Sequence, residues 1–303
     1  MKRRFSAAHS GLKEVFSNRN VIVMAITVTL SHFSTNLFVP WLALYEMALG
    51  APIPFVGVLS TVDRFLMVLM MSPGGMLSDR YGRRRIILAG QVFRLLTPVF
   101  YLLATTWQQL IMGVIAHALS MIYQPSIYIV ILESLPAKRR AVGWGVVQMI
   151  MLLVTSVTMP IGGWLIERYR ILAGVRIILV TYAILEVTKL TIRFFFLSET
   201  LEVKKREAYS LRKSLLPTNL QIPKGVWAML ATRCLYFMGY MMTNPFIVVY
   251  ATERMRLTTT QWGLIQMFFQ VAFALLLVPG AMFASRFGNR LAITLSGMLS
   301  PVP

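Results

Sequence analysis

Nine apolar runs divide this chain, and each but the last, which is cut short, is long enough to cross a bilayer as a helix of about 20 residues. They lie at roughly 21–45, 55–77, 86–104, 107–133, 141–166, 175–197, 225–250, 261–283 and 290–303. Apolar residues make up 57% of the sequence and charged residues only 14%. That balance is a membrane composition, not that of a water-soluble domain. The expectation is an all-α membrane protein. The run from Val21 is too long for the apolar core of a signal peptide and lacks a small-residue cleavage site, so it reads as a retained first span. Cys234 is the only cysteine, which excludes an internal disulfide. Zinc-type spacing is absent, and no metal or cofactor is implied.

The formal net charge of +19 raises nucleic acid as a partner, but the distribution argues against it. Most Lys and Arg residues fall in the N-terminus and in the loops after spans two, four, six and eight. Such an alternation fixes topology, with the basic segments and the N-terminus cytoplasmic. The remaining basicity suits attraction to an anionic lipid bilayer. Arg168, Arg170 and Arg176 run against the trend at the fifth-to-sixth turn.

Between the second and third runs lies Gly75-Met-Leu-Ser-Asp79-Arg80-Tyr-Gly82-Arg83-Arg84-Arg85, which reads as the short loop joining two spans. Gly82 permits a tight turn, and Asp79 is placed to cap the next helix and pair with a base. Gly75, Leu77, Asp79, Arg80, Gly82, Arg83 and Arg84 resemble the G-x-L-x-D-R-x-G-R-R signature of the major facilitator superfamily. The segment also recurs. Pro73–Arg84 laid over Pro279–Arg290 gives six identities in twelve positions at a constant offset of 206, and the same offset places Gly57 on Gly263. Two like-built halves are expected of such transporters. In the second copy the acid is Ser285 and one base is Asn289, so a charge relay built on that acid belongs to the first half alone. Glu133-Ser-Leu-Pro136, followed by Lys138-Arg139-Arg140, is similar to the superfamily's phrase at the end of span four.

The resemblance implies a six-helix N-terminal bundle (1–197), a cytoplasmic linker (198–224) and a partial C-terminal bundle (225–303) of about three helices. A complete member has twelve spans, so it also implies a C-terminally truncated chain. It further implies that Asp79, Arg80 and an acid such as Glu133 latch the cytoplasmic side. Spans one, four and seven line the central cavity in the family. On them His32 and Asn36 stand at i, i+4, and His117 and Gln124 at i, i+7, while Arg233, Tyr240 and Asn244 share a stripe. These are the candidates for solute contact near mid-depth. A histidine titrates near neutral pH, so His32 or His117 is either a proton-coupling group or a neutral side chain bonded to a neighbouring helix. Asp63 and Arg94 sit at matching depths on adjacent spans and read as an intramembrane pair, either fixing helix packing or coupling protons. Glu186, Lys189 and Arg193 form one stripe of the sixth span and read as an internal salt-bridged face, with Arg193 snorkelling toward the cytoplasm.

The expected function is secondary active transport of a small solute by alternating access in the cell membrane, with protons as one coupling option. A multidrug/proton antiporter is the alternative within transport, although span four lacks the arginine and span one the early aspartate common in such exporters. A non-transporting remnant is the alternative outside it. No phosphate-binding G-x-x-x-x-G-K-[ST] occurs, and no clustered nucleophile, base and orienter points to an enzyme.

Overall fold

The computed structural model describes residues 19–134, 140–199 and 224–288, together with Leu291 and Leu295. The linker and the ninth run therefore fall almost wholly outside the described residues. Within them every regular element is a helix. The first span runs from Arg19–Phe38 through a tight turn at Val39–Trp41, where Pro40 removes a backbone donor, into Leu42–Ala48. The second is Ile53–Tyr81 and the third Arg83–Leu103. The fourth comprises Leu110–Ser120, a tight turn at Met121–Tyr123, and Gln124–Ser134. Arg140–Ser156 and Thr158–Phe196 supply the fifth and sixth, Lys224–Val249 the seventh and Thr259–Phe287 the eighth.

Seven of these stretches are apolar and long enough to cross a membrane, and one of them, Gln148–Phe196, is 49 residues long. A straight helix of that length would extend roughly 70 Å at 1.5 Å per residue, over twice the hydrocarbon thickness of about 30 Å. It is broken at Arg170, where φ is 65° and ψ 165°, so it makes two crossings. The described residues thus contain eight.

The expected inter-span loop at Gly75–Arg85 shrinks to one residue. The second helix continues through Asp79 and Arg80 to Tyr81, and the third starts at Arg83. Only Gly82 leaves the helix, with φ 97°, a conformation that costs a side-chain-bearing residue about 1–2 kcal/mol. The repeat is equally plain in three dimensions. Helices Ile53–Tyr81 and Thr259–Phe287 are both 29 residues long, and each carries an internal proline, Pro73 or Pro279. Each is followed by a positive-φ glycine, Gly82 or Gly288. One turn earlier in each half, Gly50 and Arg256 also have positive φ. All these pairs are separated by the offset of 206 seen in the sequence.

The sixth span shows why a membrane sorts its faces in reverse. Ile184, Val187 and Phe195 are exposed, while Glu186, Lys189 and Arg193 are fully buried. Thr181, Thr188 and Thr191 on the outer face each donate to the carbonyl four residues back, which satisfies a hydroxyl where lipid offers no partner.

Two apolar clusters lie at opposite ends. The larger gathers Phe38, Trp41, Tyr45, Tyr101, Leu110 and Leu179 from the first half with Val248 and Val249 from the second. The smaller, near the basic end that carries Arg83–Arg85, is built from Val21, Met24, Ile87, Tyr123, Val130 and Leu197, all of the first half. Spans five and eight join the halves along a close seam. A Cβ on Gly163 would strike the Thr259 carbonyl, and one on Gly263 the Met159–Pro160 backbone. Thr259 Oγ1 donates to the Gly163 carbonyl at 2.7 Å, and Gln270 Nε2 donates to Thr155 Oγ1 at 2.8 Å.

Candidate functional site

A cavity of about 1480 Å³ lies between the halves, walled mainly by spans one, two, four and seven. His32, Asn36, His117, Gln124, Tyr240 and Asn244 all line it, as do Asp63 and Arg94. Arg233 does not: it is exposed on span seven and lies off this wall. Arg233 shares the helical face of Tyr240 but lies seven residues earlier, about 10 Å along the span, whereas Tyr240 and Asn244 adjoin, and Asn244 Nδ2 donates to Tyr240 Oη at 2.8 Å.

The expected Asp63–Arg94 pair is not made. His117 Nδ1 lies 2.6 Å from Asp63 Oδ1, which joins span two to span four. Arg94 instead donates from Nη2 to Thr35 Oγ1 at 2.9 Å, lies 3.8 Å from the Glu186 carboxylate and stacks over the Tyr182 ring at 5.7 Å. Both line the cavity, but each has a nearer partner on another helix. Glu46 also lines the cavity; it is buried, and its Oε2 has no hydrogen-bond partner. It escaped the sequence reading because it lies at the end of the first span, where a carboxylate ordinarily meets water.

Behind Arg94 the first bundle holds a polar network in hydrocarbon. Lys189 Nζ donates to Glu186 Oε1 and Gln91 Nε2 to Glu186 Oε2, each at 2.5 Å. Arg193, expected to snorkel, is instead fully buried. Its Nη1 donates to Gln91 Oε1, its Nε to Thr27 Oγ1, and its guanidinium lies 5.5 Å from the centre of the Tyr123 ring. Gln91 carries no charge and drew no attention in the sequence, yet it connects spans three and six at both ends of its amide.

Known proteins share this fold. The family model described as Major Facilitator Superfamily matches residues 24–300. The chain belongs to the major facilitator superfamily. Among solved structures, the human organic anion transporter MFSD10 (TETRAN) superposes with a TM-score of 0.60 at 14% identity, covering 86% of this chain and 71% of that one. The nucleoside transporter NupG, as its D323A mutant, gives 0.65 at 12% identity, covering 89% of this chain and 69% of that one. Among curated proteins no sequence matches significantly. The protein is thus a multi-pass membrane protein with the fold of the superfamily's transporters.

The superfamily signature is where the sequence reading needs its main correction. Asp79 does not cap the third span. Glu199, just past the sixth span, does so: its carboxylate accepts the Arg83 N–H at 3.1 Å and the Arg84 N–H at 3.2 Å. A carboxylate on exposed N–H groups at a helix start is favoured by the helix dipole. A side chain at position 82 would collide with that carboxylate, so the glycine serves the cap as well as the turn. Arg84 Nη2 also donates to the Phe194 carbonyl at 2.7 Å. Arg80 stacks on Tyr81. Gly75 and Leu77 lie in the last turns of the second helix. The Glu133 side chain lies outside the described residues.

Proposed function

We propose that this protein is a secondary active transporter that moves a small solute across the cell membrane by alternating access, with its N-terminus cytoplasmic. The observation that carries the reading is the cavity shared by both halves, polar along spans one, two, four and seven and closed at one end by a common apolar core. A solute held there is released to the other side when the halves rock about the glycine seam between spans five and eight. The two solved relatives transport different solute classes, so the fold supports transport and leaves the solute to this chain's own side chains.

Asp63 and His117 are the coupling pair in this reading. A proton on His117 turns their 2.6 Å contact into an ion pair, and its loss weakens the tie between spans two and four. Arg64, Arg94 and Glu46 line the same cavity and set the field in which that proton moves. Asp79, Arg80 and Glu133 act as the cytoplasmic latch, with Glu199 holding the start of span three.

The test is transport by the purified protein in liposomes, recorded as current on a solid-supported membrane against a solute library. At least one solute is expected to give a transient current that grows with an imposed pH gradient. Asp63→Asn should remove the pH response and leave binding intact. Asp79→Asn should lower the rate without loss of membrane insertion. Absence of current and of counterflow for every solute that binds would overturn the transport reading, and an unchanged rate in Asp79→Asn would overturn the latch.

A further inference from the structure

We infer that the solute is an organic oxyanion, with a carboxylate read by Arg94 together with His32; this rests on the transport reading above. Two cations, Arg94 and Lys189, pair with the single carboxylate of Glu186, and a third, Arg193, reaches it through Gln91. That carboxylate is already taken: Lys189 holds one oxygen and Gln91 the other. Lys189 and Arg193 are sealed in the bundle, and of the three only Arg94 belongs to the cavity wall. Its side chain is 5% exposed. Its Nη2 donates to Thr35 and its Nε faces the Glu186 carboxylate at 3.8 Å without a hydrogen bond, while Nη1 is buried with no hydrogen-bond partner. A buried guanidinium left half-satisfied is a costly feature unless something else completes it.

The surroundings favour an anion as the completing group. His32, on the same wall, is exposed and makes no hydrogen bond among the described residues. It precedes Thr35, the Arg94 partner, by three residues, which places both on one helical face. The nearest cavity-lining acid, Asp63, is engaged by His117. Glu46 also lines the cavity, one residue from Tyr45 of the shared apolar core. A planar carboxylate matches the guanidinium fork. The rest of the lining, Met121, Ile127, Phe246 and Trp262 among it, suits an apolar body attached to that single charge.

The experiment is thermal unfolding of the full chain in nanodiscs with matched probes: benzoate, hexanoate and 2-naphthoate, each against its amide and its amine. A carboxylate that binds the folded state raises Tm with concentration. At least one carboxylate should do so, and its amide and amine should not. Arg94→Gln should weaken that binding about tenfold or more, as loss of a charge-assisted hydrogen bond does. Arg94→Lys, which keeps the buried charge and loses the fork, should fold normally and bind with intermediate affinity. His32→Ala, at an exposed position, should also weaken binding. The inference is overturned if no carboxylate shifts Tm, if amides or amines shift it equally, or if both Arg94→Lys and His32→Ala bind as the parent does. Binding of a carboxylate with neither current nor counterflow in liposomes would leave this inference standing and remove the transport reading. Current with a neutral or cationic solute alone would do the reverse.

Discussion

Glu186 shows what a single residue carries in this fold. It is fully buried, and it is the carboxylate that offsets Lys189 directly and Arg94 and Arg193 nearby. Breaking a buried pair by removing one partner typically costs about 3–5 kcal/mol, because the orphaned charge stays in low dielectric. Glu186→Gln should therefore lower the thermal unfolding midpoint in detergent substantially. Thr188→Ala, whose hydroxyl only bonds its own helix on the exposed face, should leave it nearly unchanged. Equal midpoints for the two variants would refute the role given to Glu186. The stripe of acid and bases was readable from sequence, since residues three and seven apart share a helical face. Its partner Gln91 was not, because an uncharged amide on another helix sends no signal until the helices are rotated against each other.

At the scale of elements, the repeat makes a comparison within one molecule. Gly50 and Arg256 occupy equivalent turns, each with positive φ, 91° and 54° respectively. The glycine is at ease there and the arginine is strained by about 1 kcal/mol. Arg256→Gly should raise stability by about that amount, and Gly50→Ala should lower it. The measurement is the unfolding midpoint of each variant, and the opposite pair of signs would contradict the equivalence. The seam between spans five and eight gives a second expectation. Gly263→Ala places a methyl against the Met159–Pro160 backbone, and overpacking of this kind costs about 1–3 kcal/mol. Gly280→Ala meets open space and should be neutral. If Gly263→Ala proved as stable as Gly280→Ala, the seam would not be as close as described. Here the sequence foresaw that Gly57 and Gly263 correspond. It did not foresee that Gly263 meets span five whereas a side chain at Gly57 would touch only the ring of Phe246 on span seven.

For the whole molecule, the two halves share an apolar core at the end away from the basic loops, whereas the cluster at the basic end belongs to the first half. Access to the cavity is therefore expected from the basic end. In a Cys234→Ser background, Tyr128→Cys, an exposed position on the cavity wall, should react with a membrane-impermeant maleimide in inside-out vesicles. Val248→Cys, in the shared core, should resist it. Labelling of Tyr128→Cys only from the outer face would reverse both the orientation and the closed end. The sequence by itself determined how many apolar runs the described chain folds into helices, that a tight turn falls at Gly82 and that one half repeats the other. Hydrocarbon admits few backbone solutions, and a turn with positive φ asks for a particular residue. Only the tertiary structure decided which buried charges meet: Asp63 with His117, Arg94 with Thr35 and Glu186, and the start of span three with Glu199, 116 residues from Arg83. Those choices depend on helix rotation and neighbour, and a linear pattern of apolar residues fixes depth in the membrane but not the direction in which a side chain leaves its helix.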